Sequence, residues 1–356
     1  MLLIISNVPD LWNQIAFNVI ASYLSNHENG EVAFIDTTGS FSPLRLRDVL
    51  ACRLLAQSQR ARYQQAGYMY EKLLPGSDAV GHDATEKATS MLDRVKVMRV
   101  FDFAGVVEAI REVGQMWEAV IQAREDANDR EAQSKKGAKG VADSEDEAEE
   151  MLDDLPDPER QTEEETPSFT PSDETGQVGV IVIDTITNVV SSMISKSQIQ
   201  GLAPLPPSLS STLPPPPPTN TPSGQALLTT SFRTLSHLTH RHHILTLLIN
   251  AAVGLTPSNP FYPRRPDDNA SIFGSTQGKP ALGRVFAYLI DTSIFMSMVP
   301  KRKEDAEVAF GGGQGKEGGW EKVGVMEVVR DRNGGREGRW GVFEVFEGVE
   351  VRGVGF

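Results

Sequence analysis

The sequence predicts an α/β fold: an open, mostly parallel sheet flanked by helices and finished by an antiparallel hairpin. Three observations predict it. Short apolar runs recur along the chain with helical stretches between them, which is the spacing of βαβ units. The run over 178–183, VGVIVI, has no polar side chain and is followed by Asp184, as expected of a strand covered on both faces. Near the end, two alternating segments flank Asn333-Gly334-Gly335, a hairpin signal.

The elements follow in order. Residues 2–6, LLIIS, read as a buried parallel strand, and 15–24, IAFNVIASYL, carry apolar residues three and four apart as a helix does. GEVAFIDTTGSF supplies a Gly turn, a strand over VAFID and a polar exit loop turning at Gly39. Helix is predicted over 43–72 and 84–93, a third strand over 94–102, and a long amphipathic helix over 103–124. Helix returns over 225–242 and a buried strand over 244–250. A Pro/Gly/Asn-rich loop covers 254–281, strand covers 284–299, and a Gly-rich loop covers 301–320.

Two low-complexity segments interrupt this pattern. Residues 125–177 are charged and poor in aromatics, and thirteen of the 23 residues from Asp143 to Glu165 are acidic. Such a block buries too little apolar area to offset its ordering entropy, so disorder is expected. Residues 203–223 contain five consecutive prolines, Pro214 to Pro218, and are expected to form an extended polyproline-type linker. The core therefore comes in two parts, 1–124 and 178–356. The net charge of -14 is concentrated in the acidic segment, so a DNA-binding patch elsewhere is compatible with it. The single cysteine, Cys52, excludes a disulfide framework and a Cys-based zinc site and fits a reducing compartment. MLLIISNVPD lacks the basic and apolar regions of a signal peptide, and no apolar stretch is long enough to cross a bilayer. The expectation is a soluble, intracellular protein.

Several residues carry candidate chemistry. Asp184 ends an apolar strand at the sheet edge where ligands of open α/β sheets sit, and an acid there can hold a Mg²⁺-bound water. The phosphate loop that should accompany it, G-x-x-x-x-G-K-[ST], belongs between the first strand and the first helix. NVPDLWNQ stands there, without Gly or Lys. Two explanations are open: lost nucleotide binding, or a gene-model error that removed those codons. GGGQGKEGG (311–319) contains Gly-Lys, but Glu317 replaces the Ser/Thr and no helical pattern follows, so it reads as a loop. Asn250 ends the 244–249 strand at the same edge, as a phosphate sensor or as a cap. His237, His240, His242 and His243 cluster at a helix end with no carboxylate or thiolate nearby in sequence to complete a zinc set. Arg264 and Arg265 lie beside Phe261 and Tyr262, a pairing that suits single-stranded nucleic acid, although Asp267 and Asp268 follow.

Taken in order, VAFIDTTGSFSPLRL, RVFDF, VIVIDTITNVVSS, the strand ending LLIN and KPALGRVFAYLIDTSIF resemble the eukaryotic paralogs of the RecA-type strand-exchange recombinase, with the nearest likeness to the D paralog. The resemblance implies a RecA-like core that binds ATP with Mg²⁺, and assembly with sister paralogs and the recombinase. It also implies action on single-stranded or branched DNA in homologous-recombination repair, in the nucleus. On it Asp184 matches the Walker B acid, holding Mg²⁺ through water, and Asn250 the polar position after the next strand. The 254–280 segment matches the second DNA loop, so Arg264, Arg265, Lys279 and Arg284 become candidate DNA contacts. Thr38 stands where active members carry the water-activating acid, and a hydroxyl cannot act as that base. The family's small helical N-terminal domain has no counterpart here. The alternative expectation is a RecA-fold structural subunit of an Elongator-like tRNA-modification complex, whose members also lack Walker motifs.

Overall fold

The computed structural model describes residues 1–6, 8–65, 78–137, 178–190, 224–254, 271, 278–280, 289–310, 321–346 and 350–354. The strands are β1 (Leu2–Ser6), β2 (Glu31–Asp36), β3 (Val95–Arg99), β4 (Val178–Asp184), β5 (Leu245–Gly254), β6 (Gly278–Pro280), β7 (Thr292–Pro300), β8 (Lys322–Asp331), β9 (Trp340–Phe346) and β10 (Glu350–Val354). The helices are α1 (Pro9–Asn26), α2 (Pro43–Gln65), α3 (Asp78–Leu92), α4 (Phe103–Gly137), α5 (Gly224–Arg241) and α6 (Lys303–Phe310). The strands join in one sheet in the order β10-β9-β8-β7-β1-β5-β4-β2-β3, with β6 beside β5. From β7 to β3 every pairing is parallel, and β8, β9 and β10 continue the sheet antiparallel. The predicted α/β class holds.

Successive strand residues point to opposite faces. On one face Leu3, Ile5, Ile35, Ile181, Ile183 and Leu248 meet Val106, Ile110 and Val113 of α4 and Phe232 and Leu235 of α5. On the other, Ile4, Val32, Phe34, Val182, Leu247 and Ile249 meet Phe17 and Ile20 of α1 and Leu46 and Leu50 of α2. Fully burying each such side chain stabilises the fold by about 1.5–3 kcal/mol, and Thr246, a buried polar residue early in β5, has its hydroxyl paired with that of Thr239 at 2.8 Å. Trp117 of α4 pins the first layer. Its indole Nε1–H donates to the Val178 carbonyl at 2.9 Å, and its ring stacks on His242 at 4.8 Å between centroids. Trp117→Phe leaves that buried carbonyl without its donor. It is expected to lower unfolding free energy by about 1–3 kcal/mol in urea titration, and an unchanged midpoint would refute the assignment.

The structure corrects several expected boundaries. α1 starts at Pro9 rather than residue 15; proline suits the first helical turn, where its missing N–H is not needed. α3 also starts early, and β3 spans only Val95–Arg99. α4 runs on to Gly137, thirteen residues into the segment expected to be disordered, because AREDANDREAQSKK is charged yet rich in good helix formers. Inside the expected 301–320 loop, Lys303–Phe310 is helical, with Glu304 and Asp305 in its first turn complementing the helix dipole. β6 falls within the expected 254–281 loop, only the second half of 284–299 is described, as β7, and β10 adds a strand to the hairpin. The rest of the acidic segment, the proline linker, residues 66–72 and the Gly-Lys decoy lie outside the described residues.

Candidate functional site

Because β1, β5, β4 and β2 are parallel neighbours, the ends of β1, β4 and β2 lie side by side; β5 runs on to Gly254, so Asn250, expected to end that strand, lies within it, level with Ile5 of β1. Ser6, Asp36, Asp184 and Asn250 are each at most 4% exposed.

Asp36 organises the loop after β2. Its Oδ1 accepts the backbone N–H groups of Thr38 (3.1 Å), Gly39 (2.7 Å) and Ser40 (3.2 Å), and its Oδ2 accepts that of Phe41 (3.3 Å). An Asp followed by small polar residues folds a chain back on itself in this way. Gly39 is required: its φ is +76°, and a Cβ there would collide with the Arg99 guanidinium. Thr38, read as replacing a catalytic acid, turns its hydroxyl to Asp36 at 3.3 Å.

The folded loop brings Ser40 onto Asp184. The Ser40 hydroxyl donates to Asp184 Oδ2 at 2.6 Å, and the Thr185 hydroxyl donates to Oδ1. The Asp184 side chain is wholly buried. Burial is the main cause that raises its pKa above the ordinary carboxylate value, the two hydroxyls pull it back, and nearby Asp36 raises it further. Thr37 ties the two strand ends together. Its N–H donates to the Asp184 carbonyl at 2.6 Å, and its hydroxyl donates to the Thr185 carbonyl and accepts the Thr185 N–H, both at 2.9 Å.

Asn250 sits one strand over. Its Oδ1 accepts the Thr187 hydroxyl at 2.5 Å, and that hydroxyl accepts the Ala251 N–H at 2.8 Å. Its Nδ2 is buried without a partner among the described residues, as is Asn13 Oδ1 of α1. Asn13 Nδ2 reaches Ser40 at 3.4 Å, and Gln14 Oε1 accepts from Arg45 of α2 at 2.8 Å.

The residues at this edge do not fit a Mg²⁺-nucleotide. A phosphate cradle needs a run of free backbone amides and a cation. Only residues 7 and 8 separate β1 from α1, and Pro9, which lacks an N–H, opens the helix. Among the described residues the cations near this edge are Arg45, whose guanidinium donates to Gln14, and Arg99, whose guanidinium lies against Gly39, and neither follows β1 as a phosphate-loop lysine would. Each Asp184 oxygen accepts one hydroxyl, from Ser40 and from Thr185, which ties the carboxylate to the β2 exit loop and to its own strand end. The arrangement works instead as a latch that fixes the β2 exit loop against β4.

The sequence located Asp184 and Asn250, and the structure brings them to one edge. It missed Asp36, Ser40, Thr37 and Asn13; the signal for the first two was the run DTTGS after a strand. Arg264, Arg265 and Arg284 lie outside the described residues, while Lys279 lies in β6 opposite Val253. The histidines diverge. His240 Nε2 approaches Asp291 at 3.3 Å, whereas His242 stacks on Trp117, where burial lowers its pKa. Among the described residues no group of three or more potential metal ligands forms, and no helix is long and apolar enough to cross a membrane.

No family model matches the chain, and no curated protein matches it. A solved structure described as the crystal structure of the RadB recombinase is similar over 99% of this chain and 90% of that one, at 14% identity and a TM-score of 0.45. A likeness at that level assigns neither family nor activity, so the functional reading rests on the residues.

Proposed function

We propose that the chain is a RecA-type recombinase-paralog subunit in homologous-recombination repair, and that it holds partners and DNA without hydrolysing ATP. The ordered segments VAFIDTTGSFSPLRL, VIVIDTITNVVSS and KPALGRVFAYLIDTSIF carry the repair part of this reading, and the latch at Asp184 carries only the absence of hydrolysis. β4 and β5 are parallel neighbours in the sheet, and the acid that ends β4 is sealed by Ser40 and Thr185. The partners expected on this reading are sister paralogs, the recombinase and single-stranded or branched DNA, in the nucleus. Loss of the gene is expected to sensitise cells to DNA crosslinks, and an Asp184→Asn copy is expected to restore resistance. Unchanged crosslink resistance in the null strain would sink the proposal. The sealed acid equally suits the second reading, a structural subunit of an Elongator-like complex. Tagged protein from cell extract separates the two: recombination proteins should co-purify on the first reading and tRNA-modification subunits on the second.

A further inference from the structure

We infer that the sheet end opposite Asp184 carries a second site, a cationic groove that binds the phosphodiester backbone of DNA. The groove, of about 790 Å³, runs between the end of α5 and the β8–β9 turn, over the amino ends of β1, β5 and β7. The turn, RDRNGGREGR over 330–339, packs four arginines against two acids in a chain whose net charge is -14.

Burial sorts these charges by depth. The Asp331 side chain is fully buried and that of Asp291 is 16% exposed, whereas His240, Arg332 and Arg336 are 61%, 58% and 54% exposed. The carboxylates and the buried Met1 ammonium, which donates to Asp291 Oδ2 at 2.5 Å, form the floor, and Arg332, Arg336 and the His240 imidazole form the rim. Asp331 fixes Arg336 through its Nε (2.7 Å) and Nη2 (2.9 Å), and Nη2 also donates to Thr292 at 3.3 Å. A guanidinium held by that edge still presents Nη1 to a second oxyanion. Arg332 is held more loosely, 3.6 Å from Asp291, beyond hydrogen-bond length. Gly334, Gly335 and Gly338 have positive φ, and no atom lies within 4 Å of where a Cβ would stand on any of them, so the turn leaves room for a polymer to lie close.

Arg332 and Arg336 stand four residues apart along the turn and are held by different carboxylates, Asp291 and Asp331. That spacing suits a linear polyanion better than a small phosphate. The choice of DNA as the polyanion rests on the repair reading above; the arrangement of charge does not.

The test is fluorescence anisotropy of a labelled single-stranded oligonucleotide with the full chain across a salt series, with thermal unfolding as the folding control. Arg332→Gln is expected to weaken binding and to flatten the log–log salt slope by about one. Asp291→Asn is expected to tighten binding, since it removes the carboxylate that Arg332 and the Met1 ammonium share, while the backbone bonds Arg332 N–H to Asp291 C=O and Asp291 N–H to Met1 C=O persist. Loss of folding cannot produce that opposite sign. Lys303→Gln, an 86% exposed cation beyond the far end of β7, should leave binding unchanged. If the parent binds and Arg332→Gln and Asp291→Asn match it, the groove is refuted while the repair reading stands. If the parent binds no oligonucleotide, the groove is refuted and the repair reading is judged by crosslink sensitivity alone.

Discussion

Asp184→Asn is expected to fold, and to be at least as stable as the parent at neutral pH. A carboxylate that held a functional Mg²⁺ would not tolerate that change in activity, but a buried latch should. The asparagine keeps one oxygen to accept a hydroxyl and offers an NH₂ to the other hydroxyl's lone pair. It also removes a group whose charged form is disfavoured by burial. The sign follows from linkage. The folded pKa of Asp184 lies above its unfolded value, so the folded chain holds the proton more tightly. The resulting stabilisation is fully present below the unfolded carboxylate pKa and is lost as pH climbs through the raised folded pKa. The parent should therefore lose stability relative to Asp184→Asn from about pH 4 upward. The measurement is the difference between their unfolding midpoints across pH. Asp184→Ala behaves differently. It leaves a cavity and strips the acceptor from Thr185, which is 3% exposed, so a loss of about 2–4 kcal/mol is expected. Mg²⁺-ATP should shift neither midpoint, although a true ligand at one hundred times its Kd would add about 2.7 kcal/mol. Nucleotide stabilisation of the parent, lost in Asp184→Asn, would overturn the latch.

What the sequence disclosed and what it hid divide on physical lines. β4 was legible because seven residues, VGVIVID, combine a two-sided apolar run with a terminal acid. The hairpin was legible from Asn333-Gly334-Gly335, since two of those residues adopt the positive φ that glycine tolerates. The position of Asp184 was therefore predictable, but its state was not. The hydroxyl that seals it comes from Ser40, 144 residues away, and no local pattern encodes that contact. The cationic groove was hidden for the same reason, as His240, Asp291 and Arg332 meet only in the folded sheet. The continuation of α4 failed differently. Ala, Glu, Arg, Gln and Lys serve both a solvated helix and a disordered tail, and charge density alone favoured the wrong one.

Asp36→Ala should be the more damaging change in the β2 exit loop, with an expected loss of about 2–4 kcal/mol. Four backbone N–H groups, from Thr38, Gly39, Ser40 and Phe41, depend on this one carboxylate. Asp36→Asn should cost clearly less, because the single oxygen it retains can take the Oδ1 position that serves three of those four. Once the loop is released, Phe41 loses its fixed place against Phe34 (4.8 Å) and Phe17 (5.8 Å), and Ser40 leaves Asp184. Hydrogen exchange should then show the amides of Gly39, Ser40 and Phe41 losing protection in Asp36→Ala while those of β2 retain it. Equal losses for Ala and Asn, or unchanged protection in Asp36→Ala, would refute this role. Ser40 joins the two acids into one device, so their effects should not add. The Asp36→Ala/Asp184→Ala double variant should be less destabilised than the sum of its parts, because Asp36→Ala alone already removes the Ser40 contact on which Asp184 depends.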